Sequence, residues 1–162
     1  MQRIAPGPDQ ESVWDYPRPP RLEPVAERLQ VIFNGVVLAD SIRGLRILET
    51  SHPPTYYIPP EDVQTKLLKP VSGRSLCEFK GEAAYWTVKA EGRTSERAAW
   101  SYPAPWRPYE PLKNHYCFYA SRVDDCFVGS ERVQAQDGDF YGGWITSQVV
   151  GPFKGAPGTL GW

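Results

Sequence analysis

At 162 residues, with a net charge of −1 from 18 basic and 19 acidic side chains spread along the chain, this sequence fits one folding unit and presents no field of one sign. The charge balance argues against duplex nucleic acid as the main partner, because that binding relies on neutralising phosphates. No apolar run approaches the roughly 20 residues of a bilayer span, and 17 prolines, 14 glycines and many aromatics favour short strands and turns over a helical bundle.

Residues 1–24 are Pro-rich and polar, with Trp14 and Tyr16 as large anchors, and read as an extended arm running over the surface. Residues 25–162 read as a single β-rich domain with a Gly-rich tail. Leu29 to Phe33 and Val36 to Asp40 flank Asn34-Gly35, the strongest short-range hairpin signal, since both central residues of a type I′ turn need positive φ. Arg43 to Glu49 predicts a third strand.

Ser51-His52-Pro53-Pro54-Thr55-Tyr56-Tyr57-Ile58-Pro59-Pro60 follows. Each proline fixes its own φ and pushes the preceding residue toward extended geometry, so this rail loses little entropy on ordering and can hold an imidazole and two phenols still. The competing reading is a clip that packs rings on a core. Pro59-Pro60-Glu61-Asp62 resembles a helix start, with carboxylates near the positive end of the dipole, and predicts a short covering helix through Val63, Leu67 and Leu68 that Pro70 stops. The rest predicts strands near residues 75–80, 83–90, 97–102, 115–120, 125–128 and 131–134. The fold class expected is therefore mainly β: a compact antiparallel barrel or β-tent-like sheet with one or two short helices. Trp144, Phe153 and Trp162 should bring the tail back over the sheet, since such rings are costly to leave in water.

Cys77, Cys117 and Cys126 are odd in number and form no CxxC pair, in a chain without a secretory signal, which points to reduced thiols in a cytoplasmic protein and to no metal site. In Cys77-Glu78-Phe79-Lys80-Gly81, strand alternation would place Cys77 and Phe79 on one face and Glu78 and Lys80 on the other. A Glu78/Lys80 face turned inward would mark a site, because buried charges must pair with each other or with a ligand; turned outward it is an ordinary solvated pair. Trp86 and the Trp100/Tyr102 pair could wall a pocket for a flat ligand or fill a core. Glu131 after Gly129-Ser130, and the stretch Asp139-Phe140-Tyr141-Gly142-Gly143-Trp144, place further side chains beside glycines that admit close approach. Gly151-Pro152-Phe153-Lys154-Gly155 lacks the spacing of a phosphate loop.

Leu48-Glu49-Thr50-Ser51-His52-Pro53-Pro54-Thr55-Tyr56-Tyr57-Ile58-Pro59, Cys77-Glu78-Phe79-Lys80-Gly81, Tyr85-Trp86, Trp100-Ser101-Tyr102-Pro103 and Phe140-Tyr141-Gly142-Gly143-Trp144 together resemble the family catalogued as domain of unknown function 427. The resemblance covers about residues 25–155 and suggests a longer bacterial member with an added arm and tail. It implies a compact β-rich domain. A nucleotidyltransferase label sometimes attached to the family carries no assigned catalytic residues, and the carboxylate-rich metal motif of that chemistry is not evident here. The architecture implied is similar to β-tent proteins such as cereblon-type binding domains and methionine sulfoxide reductases, whose zinc-holding CxxC pairs are missing from this sequence.

Three functions compete on these residues. The first is a binding module whose cleft, formed by His52, Tyr56, Tyr57, Glu78, Lys80, Trp86, Trp100, Tyr102, Glu131, Tyr141 and Trp144, takes a small polar or partly flat ligand. The second is an enzyme with His52 as acid or base, Glu78 as its partner and Lys80 or Cys77 as electrophilic or nucleophilic help. The third is a scaffold whose aromatic arm docks a protein partner through Trp14 and Tyr16. No cofactor is indicated by the sequence.

Overall fold

The computed structural model describes every residue except Asp139, so the first position of the Asp139–Trp144 stretch lies outside the described residues. Two short strands, β1 (Glu11–Ser12) and β2 (Arg21–Pro24), precede the predicted hairpin of β3 (Leu29–Phe33) and β4 (Val36–Ser41). Asn34 and Gly35 adopt φ of 51° and 77°, the positive pair that the turn requires. β5 (Leu45–Leu48) pairs with β2 on one side and with β6 (Thr55–Tyr57) on the other. The centre of the proline rail is thus a strand, as its extended backbone demands.

The predicted covering helix does not form. Pro60–Asp62 and Thr65–Leu67 make two separate 3-10 turns, and the chain enters β7 (Leu68–Cys77) through Pro70 itself. Pro70 lies at a register shift of an outer strand, where its missing donor interrupts little. Val63 and Leu68 still go into the core, so the apolar residues are buried as expected but not on a helical period. Among the described residues helical structure is confined to 3-10 turns, the longest Arg107–Leu112.

β7, β8 (Gly81–Ala90), β9 (Arg93–Ser101) and β10 (Tyr116–Phe118) form a four-stranded antiparallel sheet, and β11 (Asp125–Val128) and β12 (Glu131–Arg132) join β3 and β4 in a second. β13 (Gln134–Ala135) pairs with β14 (Trp144–Ile145), and β15 (Val149–Val150) runs parallel to β1. The protein is mainly β with several antiparallel sheets, as expected. The sheets do not close into a barrel; an open arrangement of the β-tent or sandwich kind is compatible with them.

Alternation along the β7–β10 sheet gives it a core on each face. Val88, Ala98, Tyr116 and Phe118 pack with Leu29, Val31 and Phe33 of the hairpin sheet. Ala83, Tyr85, Trp100, Tyr102 and Cys117 point the other way and meet Ile47 and Tyr57 from β5 and β6. The two termini join in a third cluster: Val13 and Tyr16 pack with Leu48 and Val149, and Trp14 meets Trp162 edge to face at 5.3 Å. Trp14 Nε1 donates to the Pro152 carbonyl and Tyr16 to Glu11, so both anchors of the arm are engaged within the molecule.

Trp144 is the keystone of the first core. It is fully buried, stacks on Tyr56 with centroids 5.1 Å apart, and donates its indole N–H to the Phe118 carbonyl at 2.8 Å. Trp144→Ala therefore removes a large ring and leaves a buried acceptor unpaired, and chemical denaturation should record a loss of about 3–5 kcal/mol. A loss below about 1 kcal/mol would show that the tail does not complete this core.

Candidate functional site

The cavity that gathers the chemistry lies on the second face of the β7–β10 sheet and encloses about 260 Å³. Strand parity decides which aromatics reach it. Tyr57 and Tyr56 point to opposite sides of β6, so Tyr57 lines the cavity and Tyr56 packs on Trp144. The same alternation sends Tyr85 inward and Trp86 away, where Trp86 donates to Ser101 at 2.9 Å and meets Tyr116 edge on. Tyr85 stands opposite Trp100 in the ladder, and Tyr102 follows on that face, as its two-residue spacing predicts.

Eight of the residues singled out in the sequence line this cavity: His52, Tyr57, Cys77, Glu78, Lys80, Trp100, Tyr102 and Tyr141. Tyr56, Trp86, Glu131 and Trp144 do not. Glu131 instead accepts hydrogen bonds from the Ser147 amide and hydroxyl, and so ties β12 to the tail. Tyr56 borders a separate hollow of about 340 Å³ in which Arg46 is clasped by Glu11 and Glu23.

Glu78 and Lys80 do not share a strand face. Residues Glu78 to Lys80 form the turn between β7 and β8, so alternation no longer governs them: Glu78 is exposed and Lys80 is buried, with 7% of its surface accessible. The turn is pinned by a hydrogen bond from the Trp106 amide to the Lys80 carbonyl at 3.0 Å. Among the described residues no hydrogen bond or ion pair joins His52, Glu78 and Lys80 to one another, and Cys77 has none with His52.

Sequence reasoning missed the partners that do hold His52. Gln136 is buried, and its amide orientation follows from its neighbours: the Gly143 N–H must donate to Oε1, at 3.0 Å, and the Lys154 carbonyl must accept from Nε2, at 2.6 Å. Gln136 Nε2 then faces His52 Nδ1 at 3.3 Å as a donor, which leaves the imidazole proton on Nε2, directed toward Glu49 at 3.6 Å. Glu49 is in turn held by Arg18 at 3.4 Å. Gly143 makes this closeness possible, since a Cβ there would fall 2.6 Å from Gln136 Oε1 and 2.7 Å from the Pro53 carbonyl. Gly142 does the same beside Trp100, into whose ring a Cβ would project. Tyr141 crosses His52 edge on at 5.2 Å, and the Lys154 ammonium lies 5.5 Å from the Tyr141 ring centre.

Burial lowers the His52 pKa to about 4. Glu49 opposes this, and the positive charges of Lys154, Arg18 and Lys80 reinforce it. Burial also raises the Tyr57 and Tyr102 hydroxyls and the Cys117 thiol well above their ordinary ranges, so the inner wall stays neutral.

A folded-state pKa below the usual 6.5 of histidine means that the unfolded chain takes up this proton first. The stability due to neutral His52 is complete above about pH 6.5, declines as pH falls, and is gone below about pH 4. Each tenfold difference in proton affinity between the folded and unfolded chains corresponds to about 1.4 kcal/mol. Urea denaturation between pH 7 and pH 4.5 should therefore show a smaller loss of stability for His52→Gln than for the wild type. Parallel curves would contradict the buried neutral imidazole.

No helix of the described residues is long and apolar enough to cross a membrane, and no cluster of three or more His, Cys, Asp or Glu among them is arranged to hold a metal ion. No curated protein matches the chain. A family described as a domain of unknown function, DUF427, matches residues 21–129, from β2 through the end of β11, so the Phe140–Trp144 stretch and Gln136 lie beyond the match. The match spans more than half of the sequence and contains the proline rail, the β7–β8 turn and the aromatic strands, and the chain accordingly belongs to the DUF427 family.

Proposed function

We propose that this protein binds a small, polar, partly flat molecule in the cavity between the β6 rail and the β7–β10 sheet. The observation that carries this reading is the convergence on one hollow of a ring wall, Tyr57, Tyr85, Trp100 and Tyr102, with a few fixed polar groups, chiefly His52 and Lys80. Rings supply apolar contact while a small number of polar groups set orientation, the usual division of labour in a ligand pocket. At about 260 Å³ the space lies just under the roughly 300–1,000 Å³ of sites for drug-sized molecules, which favours a ligand of metabolite size. Glu78 stands at the exposed turn, where it can meet only the outer end of a ligand.

The hydrogen-bonding of His52 favours binding over acid–base chemistry. A general base needs a free nitrogen lone pair facing its substrate, and the Nδ1 lone pair is occupied by Gln136 while Nε2 carries the proton. The engagement of Trp14 and Tyr16 inside the third cluster likewise gives a docking arm no free anchors.

Ligand-observed NMR with a library of flat polar fragments should find hits that compete for one site. His52→Ala and Trp100→Ala should each weaken them by about tenfold or more, as expected for residues that orient or stack on a ligand. Tyr141→Ala, at the half-buried mouth, provides a variant with little demand on the core. Hits that bind all three variants as tightly as the wild type would remove this reading.

A further inference from the structure

Lysine is seldom buried without a partner, because its ammonium loses hydration and gains nothing in return. Lys80 is buried as a residue, while its unpartnered ammonium borders the open space of the cavity. It is 7% exposed, its main chain is fixed by Trp106, and among the described residues its Nζ makes no hydrogen bond and no ion pair. Its nearest polarisable neighbour is the Tyr102 ring, whose centre lies 6.0 Å away, at the outer limit of a cation–π contact. The residue lines the cavity together with His52 of the rail and Tyr102 of the sheet.

Two acids line the cavity, Glu49 and Glu78. Glu49 is held by Arg18 and faces the His52 N–H. Glu78 is exposed on the turn and makes no ion pair among the described residues. Lys154 contributes a second cation to the lining, over Tyr141. With His52 neutral, Glu49 matched by Arg18 and Glu78 out on the exposed turn, Lys80 is the buried charge of the lining that has no ion-pair partner among the described residues, and it stands beside flat aromatic walls. At the mouth, Leu76 and Phe140 add exposed apolar surface, 70% and 64% accessible.

We infer that the cavity takes an anion: an oxyanion group, carboxylate or phosphate, carried on a planar body, with the Lys80 ammonium as its buried counter-charge and Lys154 as a second cation at the rim. This rests on the binding reading above and narrows it to a ligand class. A carboxylate or phosphate restores the hydrogen bonds that the ammonium lacks, and charge-assisted bonds in a partly desolvated site are the stronger kind. The planar body lies along Tyr57, Trp100 and Tyr102, where offset or edge-on ring contacts are available.

The test uses the full chain with four probes: benzoate, phenyl phosphate, the neutral isostere benzamide, and inorganic phosphate. Calorimetry on the wild type should show benzoate or phenyl phosphate binding about tenfold or more tightly than benzamide, the factor expected for a hydrogen bond to a charged group. Whichever of the two prevails names the oxyanion, and competition by inorganic phosphate shows that the head group alone suffices. Lys80→Met should abolish the preference of the anions over benzamide, whereas Lys80→Arg keeps it. A second readout needs no variant: the side-chain Cε resonance of Lys80 in the wild type should move on titration with the preferred anion. Equal binding of benzamide and both anions, a preference that survives in Lys80→Met, or an unmoved Lys80 resonance at saturation would overturn the anion inference while leaving a binding pocket. Failure of every probe, charged or neutral, to bind the wild type would remove both.

Discussion

The side-chain amide of Gln136 is the contact on which the site depends. It lies at one end of β13, and through one carbonyl and one NH2 it joins three segments that are far apart in sequence: the rail at His52, the Gly143 loop and the tail at Lys154. Buried polar networks of this kind are costly when incomplete and specific when complete, because each donor and acceptor has one arrangement that satisfies it. Here the arrangement is complete: no fully enclosed side-chain nitrogen or oxygen among the described residues lacks a partner, and the Lys80 ammonium, which has none, borders the open space of the cavity. The imidazole tautomer follows from that one amide, which also holds the Gly143 loop close to Pro53.

The cavity is also composite in origin. The matched region, residues 21–129, supplies the rail, the turn with Lys80 and the ring wall, while Gln136, Tyr141, Gly142 and Lys154 come from the segment that follows. That segment returns because its own apolar residues are needed elsewhere: Trp144 fills the core between the two main sheets, and Val149 joins Val13 and Leu48 in the cluster that also gathers both termini. Packing on one face of the molecule thereby completes a hollow on the other. The ring pairs that line it, Tyr57 against Trp100 at 6.2 Å and Trp100 against Tyr119 at 4.7 Å, stiffen a wall whose inner groups stay neutral.

Much of this is legible in the residues. Asn34-Gly35 names its own turn, Asp125 to Val128 reads as the strand it forms, and two-residue spacing puts Trp100 and Tyr102 on one face. The rail announces its rigidity through prolines. The failures have physical causes. Val63, Leu67 and Leu68 fit a helical stripe, yet Val63 follows one 3-10 turn, Leu67 ends a second and Leu68 starts a strand, because short apolar runs do not distinguish the two periods. Alternation would put Glu78 and Lys80 on a common face, but a turn ends the alternation at Cys77. Tyr85 rather than Trp86 reaches the cavity, and Tyr57 does so without Tyr56, since parity says which residues share a face but only the register of neighbouring strands says which face is the cavity. Gln136 carries no signal in the sequence, because the value of a lone glutamine lies wholly in what the fold brings to it.

The central claim is that a neutral imidazole, fixed by Gln136 with its proton on Nε2, lines one ring-walled hollow together with a buried and otherwise uncommitted lysine. Long-range proton–nitrogen correlation NMR on the histidine side chains at pH 7 tests its anchor directly. The account predicts that His52 shows an unprotonated Nδ1 and a protonated Nε2. A protonated Nδ1, or an imidazolium at that pH, would contradict it.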